Sequence, residues 1–134
     1  MSNNNSDQPS KNSAHIVWIE DDNFLGSLIS KKLSSEGYSV DYVNTGEDAI
    51  AKVKENRPDL VLADIMLPGM DGFEVLKQIK SEQELQDIPV ILFSNLSQEE
   101  DISKGLNLGA ESFLVKSNVV PDQIVSKIKE VLQS

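Results

Sequence analysis

Five short apolar segments, separated by stretches long enough to form helices, are the feature that most restricts how this chain can fold. The segments are rich in Val, Ile, Leu and Phe and mostly continuous, which is typical of strands buried on both faces of a parallel sheet. They cover residues 15–19, 40–43, 60–63, 90–93 and 113–115. The sequence therefore predicts five β-α units, with right-handed crossovers and helices on both faces of one sheet.

The intervening segments carry apolar residues at helical spacing. Three stripes stand out: Leu25, Leu28, Ile29 and Leu33; Phe73, Leu76 and Ile79; and Ile124, Val125, Ile128, Val131 and Leu132. The segment 97–108 has a thinner stripe, built on Ile102 and Leu106 and interrupted by Gly105. The pattern for this fourth helix is the weakest of the five.

Residues that favour helix ends agree with this division. Three pairs at capping-box spacing predict helix starts: Thr45 and Asp48, Asp71 and Glu74, and Ser97 and Glu100. Asp22 or Asn23 is expected to cap the first helix. Gly37 should end that helix, and Pro121 should lie in the first turn of the last one.

Composition limits the possible chemistry. The chain has 134 residues, enough for one domain at 14–134 after a polar tail, 1–13, that we expect to be disordered. It has no Cys, and His15 is its only histidine. This excludes disulfides, thiolate metal sites and Cys nucleophiles, and it argues against a Ser-His-Asp triad. The absence of Cys also fits a reducing cytoplasm.

The net charge of −10 argues against direct binding to nucleic acid or to an anionic membrane. No apolar stretch reaches the ~18 residues of a membrane span. The N-terminus lacks the basic and apolar regions of a signal peptide. We therefore expect a cytoplasmic protein without membrane insertion.

Polar residues follow four of the five predicted strands. They are Glu20-Asp21-Asp22 after the first strand, Asp64 after the third, Ser94 after the fourth and Lys116 after the fifth. The carboxyl ends of parallel strands share one edge of a sheet, where such sheets bind ligands. We therefore expect these side chains to converge.

The converging groups suit phosphoryl transfer. Clustered carboxylates repel one another unless a cation joins them, and Mg²⁺ prefers oxygen ligands and tolerates phosphate. A carboxylate can itself be phosphorylated as a nucleophile. Lys116 can neutralise charge on the transferred group, and Ser94 can donate a hydrogen bond to it.

Taken singly, each residue also has a structural interpretation. The acidic run at 20–22 could serve the first turn of a helix, and Asp64 could cap a helix or sit in a turn. Lys116 could be solvated, Ser94 could simply end a strand, and Phe113 could belong to the core. Trp18 is interpreted as a core residue close enough to Asp21 to report on it.

Together, the motifs resemble those of response-regulator receiver domains, in particular the stand-alone chemotaxis-type regulators. The matching segments, in order and at the family's spacing, are VWIEDD, LADIMLPGMDG, ILFSN and FLVKS. The resemblance covers about residues 14–134. It implies a flavodoxin-like, CheY-like (βα)5 fold with strand order 2-1-3-4-5.

The resemblance also implies a role for each site residue. The implied roles are phosphoacceptor for Asp64, Mg²⁺ ligands for Asp21, Asp64 and the backbone carbonyl of Met66, an indirect ligand through water for Glu20, switch residues for Ser94 and Phe113, and phosphoryl partner for Lys116.

The resemblance implies that such a protein is not an enzyme in the usual sense. It accepts a phosphoryl group from a histidine kinase or a histidine phosphotransfer protein. It then binds a downstream effector through its fourth helix, fifth strand and fifth helix, with no output domain of its own expected here.

Two other functions stay open. An unphosphorylated receiver-like adaptor would be a pure interaction module, although such proteins usually lose acidic residues or the lysine that this chain keeps. A phosphohydrolase with an aspartyl nucleophile would have a second Asp two positions on, where this chain has Met66.

The chain departs from the family in having Ser117, not Pro, after Lys116, which leaves open whether that peptide bond is cis. Its switch hydroxyl is Ser rather than the commoner Thr.

Overall fold

Five parallel strands and five α-helices alternate along residues 14–133, the part of the chain that the computed structural model describes. The strands are β1 His15–Ile19, β2 Ser39–Val43, β3 Leu60–Ala63, β4 Val90–Ser94 and β5 Ser112–Val115. The helices are α1 Asn23–Ser35, α2 Gly46–Asn56, α3 Gly72–Ser81, α4 Glu99–Asn107 and α5 Pro121–Leu132. All neighbouring strands are parallel, and their order is β2-β1-β3-β4-β5, which confirms the predicted fold.

The sheet separates two hydrophobic cores. In β1, Val17 and Ile19 face one core, while Ile16 and Trp18 face the other. The first core is closed by α2 and α3, and the second by α1 and α5. Because the central strands are buried on both faces, they need apolar residues at every position, which explains their continuous apolar runs.

Most of the predicted helix ends are confirmed. Asp22 caps α1 by accepting hydrogen bonds from the amides of Phe24 and Leu25. The amide of Asp48 donates to Thr45 at the start of α2, and that of Glu74 donates to Asp71 at the start of α3. Gly37 follows α1 with φ of 98°, and Pro121 is the first residue of α5.

The predicted start of α4 is wrong. The helix begins at Glu99, and its cap position is Gln98, whose side chain makes no capping hydrogen bond, so Ser97 and Glu100 do not form a capping box. The first turn instead carries three acidic residues, whose negative charges interact favourably with the positive end of the helix dipole. Gly105, which seemed to interrupt the helix, allows a close approach to β4, since a Cβ there would lie 2.6 Å from Leu92 Cδ1.

The segment after β5 is a short 3-10 turn, Lys116–Asn118, and no peptide bond within residues 14–133 is cis. The predicted disordered tail, 1–13, lies outside the described residues. Within the described part, no helix has both the length and the apolar composition needed to cross a bilayer.

Gly72, at the start of α3, offers a test of the packing. A Cβ there would lie 2.2 Å from the Asp64 carbonyl oxygen and 2.6 Å from Ile65 Cα, both of which are backbone atoms. We expect Gly72→Ala to lower the free energy of unfolding by about 2–3 kcal/mol, although Ala normally favours a helix by ~1 kcal/mol over Gly. Urea unfolding measures this.

The matched control is Lys77→Ala, an exposed position on the same helix. It should change the free energy of unfolding by no more than about 0.5 kcal/mol. A Gly72→Ala protein as stable as this control would contradict the close approach of α3 to the segment after β3.

Candidate functional site

The ends of β1 and β3 lie level with each other. Ile19 pairs with Ala63 in the sheet register, so Glu20 and Asp64 leave the sheet side by side, each one residue past its strand. The Asp64 amide donates to the Ile19 carbonyl at 3.0 Å, which extends the strand pairing into the site. Both acidic residues are buried, with 1% of Glu20 and 4% of Asp64 exposed.

Lys116 joins these two carboxylates. It follows β5, and its side chain reaches across β4, where Nζ lies 5.6 Å from the centre of the Phe93 ring. Nζ then lies 2.7 Å from Glu20 Oε1 and 2.9 Å from Asp64 Oδ2. One ammonium group therefore neutralises part of the negative charge that two buried carboxylates bring together.

The pKa values of Glu20 and Lys116 are both raised, but for different reasons. Burial raises the pKa of Glu20 and so does the charge of Asp64, while hydrogen bonds from Lys116 and the Asp22 amide oppose the rise without cancelling it. For Lys116 burial is the largest single influence and lowers the pKa. The hydrogen bonds and charges of Glu20 and Asp64 together outweigh it, so the pKa of Lys116 is raised and the ammonium form is stabilised.

The second carboxylate oxygen of Asp64 is held by backbone amides. Oδ1 accepts hydrogen bonds from the Ile65 amide at 2.7 Å and the Met66 amide at 3.3 Å. With Oδ2 on Lys116, the carboxylate has partners on both sides and a defined orientation. The apolar run of β3 therefore ends in an acidic side chain with little freedom to rotate.

The three acidic residues can hold a cation together. Glu20, Asp21 and Asp64 each have a carboxylate oxygen within 4.8 Å of the others. Hard oxygen donors in this number suit Mg²⁺, which keeps several of its waters. Asp21 is exposed and faces solvent, whereas the other two are buried. The residues thus fit the predicted metal, while the ligand role of the Met66 carbonyl stays a prediction.

A groove of about 590 Å³ opens next to these carboxylates. Asp21 and Met66 are among its walls, with apolar residues of the segment after β3. Lys104 of α4 also lines the groove, and its Nζ lies 4.5 Å from the centre of the Phe73 ring. The groove leaves room for a reactant to approach the acidic residues from solvent.

Ser94 and Phe113 lie farther along the sheet. Ser94 ends β4, is fully buried, and its Oγ accepts a hydrogen bond from the Leu96 amide at 3.4 Å. Phe113, in β5, is half-buried and packs against the core below α4. An added Cβ at Gly105 would lie 3.3 Å from the Phe113 ring, so α4 and this ring are in close contact. Their switching roles stay predictions.

The sequence interpretation missed a polar network behind Glu20. Tyr42 and Asn44 donate hydrogen bonds to the Glu20 backbone carbonyl at 2.8 and 3.2 Å, and Asn44 also donates to the Asn23 side chain at 2.8 Å. The available signal was Gly26, a glycine inside an otherwise regular helix, which is buried against the Tyr42 ring.

Comparison with known proteins identifies a family. The response regulator receiver domain family matches residues 16–129. The transcriptional regulatory protein AfsQ1 of Streptomyces coelicolor is 37% identical over 101 residues, which are 75% of this chain and 44% of AfsQ1.

Solved structures agree as well. The BeF3-activated N-terminal receiver domain of Klebsiella pneumoniae RstA has a TM-score of 0.82 at 28% identity, over 90% of this chain and 99% of that domain. A CheY-like receiver domain protein from Methanospirillum hungatei has a TM-score of 0.83 at 29% identity, over 90% of this chain and 94% of that one.

The curated relatives are longer proteins, and the chain spans about half of their length or less. They are regulatory proteins, which is consistent with two-component signalling, and receiver domains generally act as signalling modules rather than as enzymes. The strand order, the acidic edge of the sheet and the match over 16–129 lead to one conclusion: the chain belongs to the response regulator receiver domain family.

Proposed function

We propose that Asp64 is the phosphoacceptor of a two-component or phosphorelay system, with a histidine kinase or a histidine phosphotransfer protein as donor. The observation that carries this proposal is the position of Lys116, whose Nζ contacts both Asp64 and Glu20. This contact pairs the buried Asp64 carboxylate with a positive charge. It also sets a positive charge beside the point where the phosphoryl group would arrive.

The proposed reaction is a displacement at phosphorus. An oxygen of Asp64 forms the new P–O bond, while the P–N bond to the donor histidine breaks and its electron pair stays on the nitrogen. Asp64 then has no free carboxylate charge, and Lys116 pairs with a phosphoryl oxygen in its place. The amides of Ile65 and Met66, which bind Asp64 Oδ1, keep the carboxylate oriented during attack.

Mg²⁺ is the proposed cofactor, and when bound it would supply positive charge to the phosphoryl oxygens. Asp21, Asp64 and the Met66 carbonyl would hold it directly, and Glu20 through water. Both oxygens of Glu20 accept hydrogen bonds, from Lys116 at 2.7 Å and the Asp22 amide at 3.1 Å. The Asp21 side chain makes no hydrogen bond or ion pair within residues 14–133, so it is available to a cation.

The proposed output is a shift between two conformations. The Ser94 hydroxyl would move towards the phosphoryl group, and Phe113 would move into the space that this leaves. The contact of Phe113 with the part of α4 around Gly105 supports transmission to the surface formed by α4, β5 and α5. A downstream effector protein would bind that surface. The net charge of −10 makes nucleic acid a poor direct partner, and we place the reaction in the cytoplasm.

Phosphorylation of Asp64 has a direct test. Incubation with acetyl phosphate and Mg²⁺ should add one phosphoryl group by intact mass, and Asp64→Asn should abolish this addition because the amide is not a nucleophile. The matched control is Asp71→Asn, since Asn also caps a helix well and should preserve both the fold and the labelling. Labelling that persists in Asp64→Asn would show that another residue is the acceptor.

Magnesium binding separates this function from that of an adaptor. Trp18 is fully buried and donates to the Gly26 carbonyl of α1 at 3.0 Å, so its fluorescence should respond when the loop between β1 and α1 binds Mg²⁺. We expect a saturable change that Asp21→Asn weakens by about tenfold or more in affinity.

Asp22→Asn is the control for this titration, because it keeps the helix cap and changes charge at the neighbouring position. It should bind Mg²⁺ nearly as well as the unaltered chain. An unaltered chain without any saturable response would favour the unphosphorylated adaptor.

If the chain were a phosphohydrolase, it would catalyse the repeated hydrolysis of phosphate monoesters. Its general acid would stand two positions after Asp64, where Met66 has no group that can donate a proton in this role. We expect no hydrolysis of p-nitrophenyl phosphate above the level of Asp64→Asn. Steady turnover that depends on Asp64 would instead favour an enzyme.

A further inference from the structure

The peptide bond between Glu20 and Asp21 joins the buried and the exposed member of the acidic pair. Its carbonyl oxygen accepts hydrogen bonds from Tyr42 Oη at 2.8 Å and from Asn44 Nδ2 at 3.2 Å. On the other side of the same residue, the Glu20 amide donates to the Val43 carbonyl at 3.1 Å. The backbone just before Asp21 is therefore fixed from β2 and from the residue that follows β2.

The same two side chains also hold the far end of the loop. Asn44 Nδ2 donates to Asn23 Oδ1 at 2.8 Å, and Asn23 is the first residue of α1. Asn44 Nδ2 also lies 2.9 Å from Tyr42 Oη. The hydrogens suffice for one consistent chain of bonds. One Asn44 amide hydrogen goes to Asn23 Oδ1, and the other is shared between the Glu20 carbonyl and the Tyr42 hydroxyl oxygen. The Tyr42 hydroxyl hydrogen goes to the Glu20 carbonyl, which has a lone pair for each of its two donors.

The packing around Tyr42 requires a glycine in α1. A Cβ at position 26 would lie 2.1 Å from Tyr42 Cζ and 2.2 Å from its Oη. Glycine inside a helix costs ~1 kcal/mol relative to alanine. The Gly26 carbonyl in turn accepts the hydrogen bond from the Trp18 indole, whose ring centre lies 6.3 Å from that of Tyr42. Packing against Gly26 and the Trp18 ring therefore holds the Tyr42 side chain in place.

Asp21 depends on this network because its own side chain has no other support. It is exposed, and within residues 14–133 its carboxylate makes no hydrogen bond or ion pair. The neighbouring carboxylates of Glu20 and Asp64 repel it. Only the backbone conformation keeps its oxygen within 4.8 Å of theirs.

We infer that Tyr42 and Asn44 are positioning residues that hold Asp21 in the geometry of a divalent-cation site. They touch neither the cation nor the phosphoryl group, and act through the backbone carbonyl of Glu20. With the loop fixed in advance, binding a cation does not have to order it. This inference rests on the proposed function, because that function supplies the cation, and it goes further by assigning roles to two residues outside the acidic site.

The experiment measures Mg²⁺ affinity by isothermal titration calorimetry, on the full chain and without a phosphodonor. Tyr42→Phe removes one hydroxyl and keeps the ring over Gly26, and Asn44→Ala removes the amide. Each should weaken Mg²⁺ binding by about tenfold, the usual effect of losing a group that orients a metal ligand. Matched controls are Tyr38→Phe, at a buried tyrosine just before β2, and Asn56→Ala, which loses an exposed hydrogen bond to Asp41. Both controls should keep the affinity of the unaltered chain.

A second measurement separates positioning from general stability. The Mg²⁺ concentration that half-saturates labelling by acetyl phosphate should rise about as much as the dissociation constant, while the labelling rate at saturating Mg²⁺ stays within about twofold. Variants that lose stability towards urea but bind Mg²⁺ as tightly as the unaltered chain would overturn the inference and leave the proposed function intact. An unaltered chain that binds no Mg²⁺ would overturn both.

Discussion

The contact of Lys116 with Glu20 and Asp64 is the interaction on which the site depends. Two carboxylates that are almost fully buried cannot both stay charged at close range without a counterion. Lys116 supplies it from β5, although its partners follow β1 and β3. The ion group therefore exists only when four neighbouring strands of the sheet are in register.

The sheet meets this requirement through its two cores. Because every central strand is buried on both faces, a shift by one residue would exchange the residues of one core with those of the other. The packing of Ile19 and Ala63 in the same core therefore also fixes the relative positions of Glu20 and Asp64. The packing that stabilises the sheet therefore also positions the acidic residues. The apolar residues that do this take no part in the chemistry.

Much of the molecule could be predicted from the sequence because the relevant signals are local. Continuous apolar runs identify buried strands, and caps such as Thr45 and Asp71 mark helix starts within one turn. The α4 start was wrong because Ser97 has capping-box spacing to Glu100, yet three acids in the next turn stabilise a later start. The spacing of residues alone does not show whether a side-chain cap or the interaction of acidic residues with the helix dipole stabilises the helix start more.

The order of strands and helices along the chain, the residues that follow the strands, and the family could be predicted from the sequence, because they depend on short-range patterns and on recognisable motifs. The folded chain was needed to show that Lys116 reaches past Phe93 to two carboxylates, and that Tyr42 and Asn44 bind the Glu20 carbonyl. These contacts join residues that are distant along the chain. The geometry of these contacts follows from the sheet register and from the close packing of the Tyr42 ring on Gly26, neither of which is encoded in a local sequence pattern.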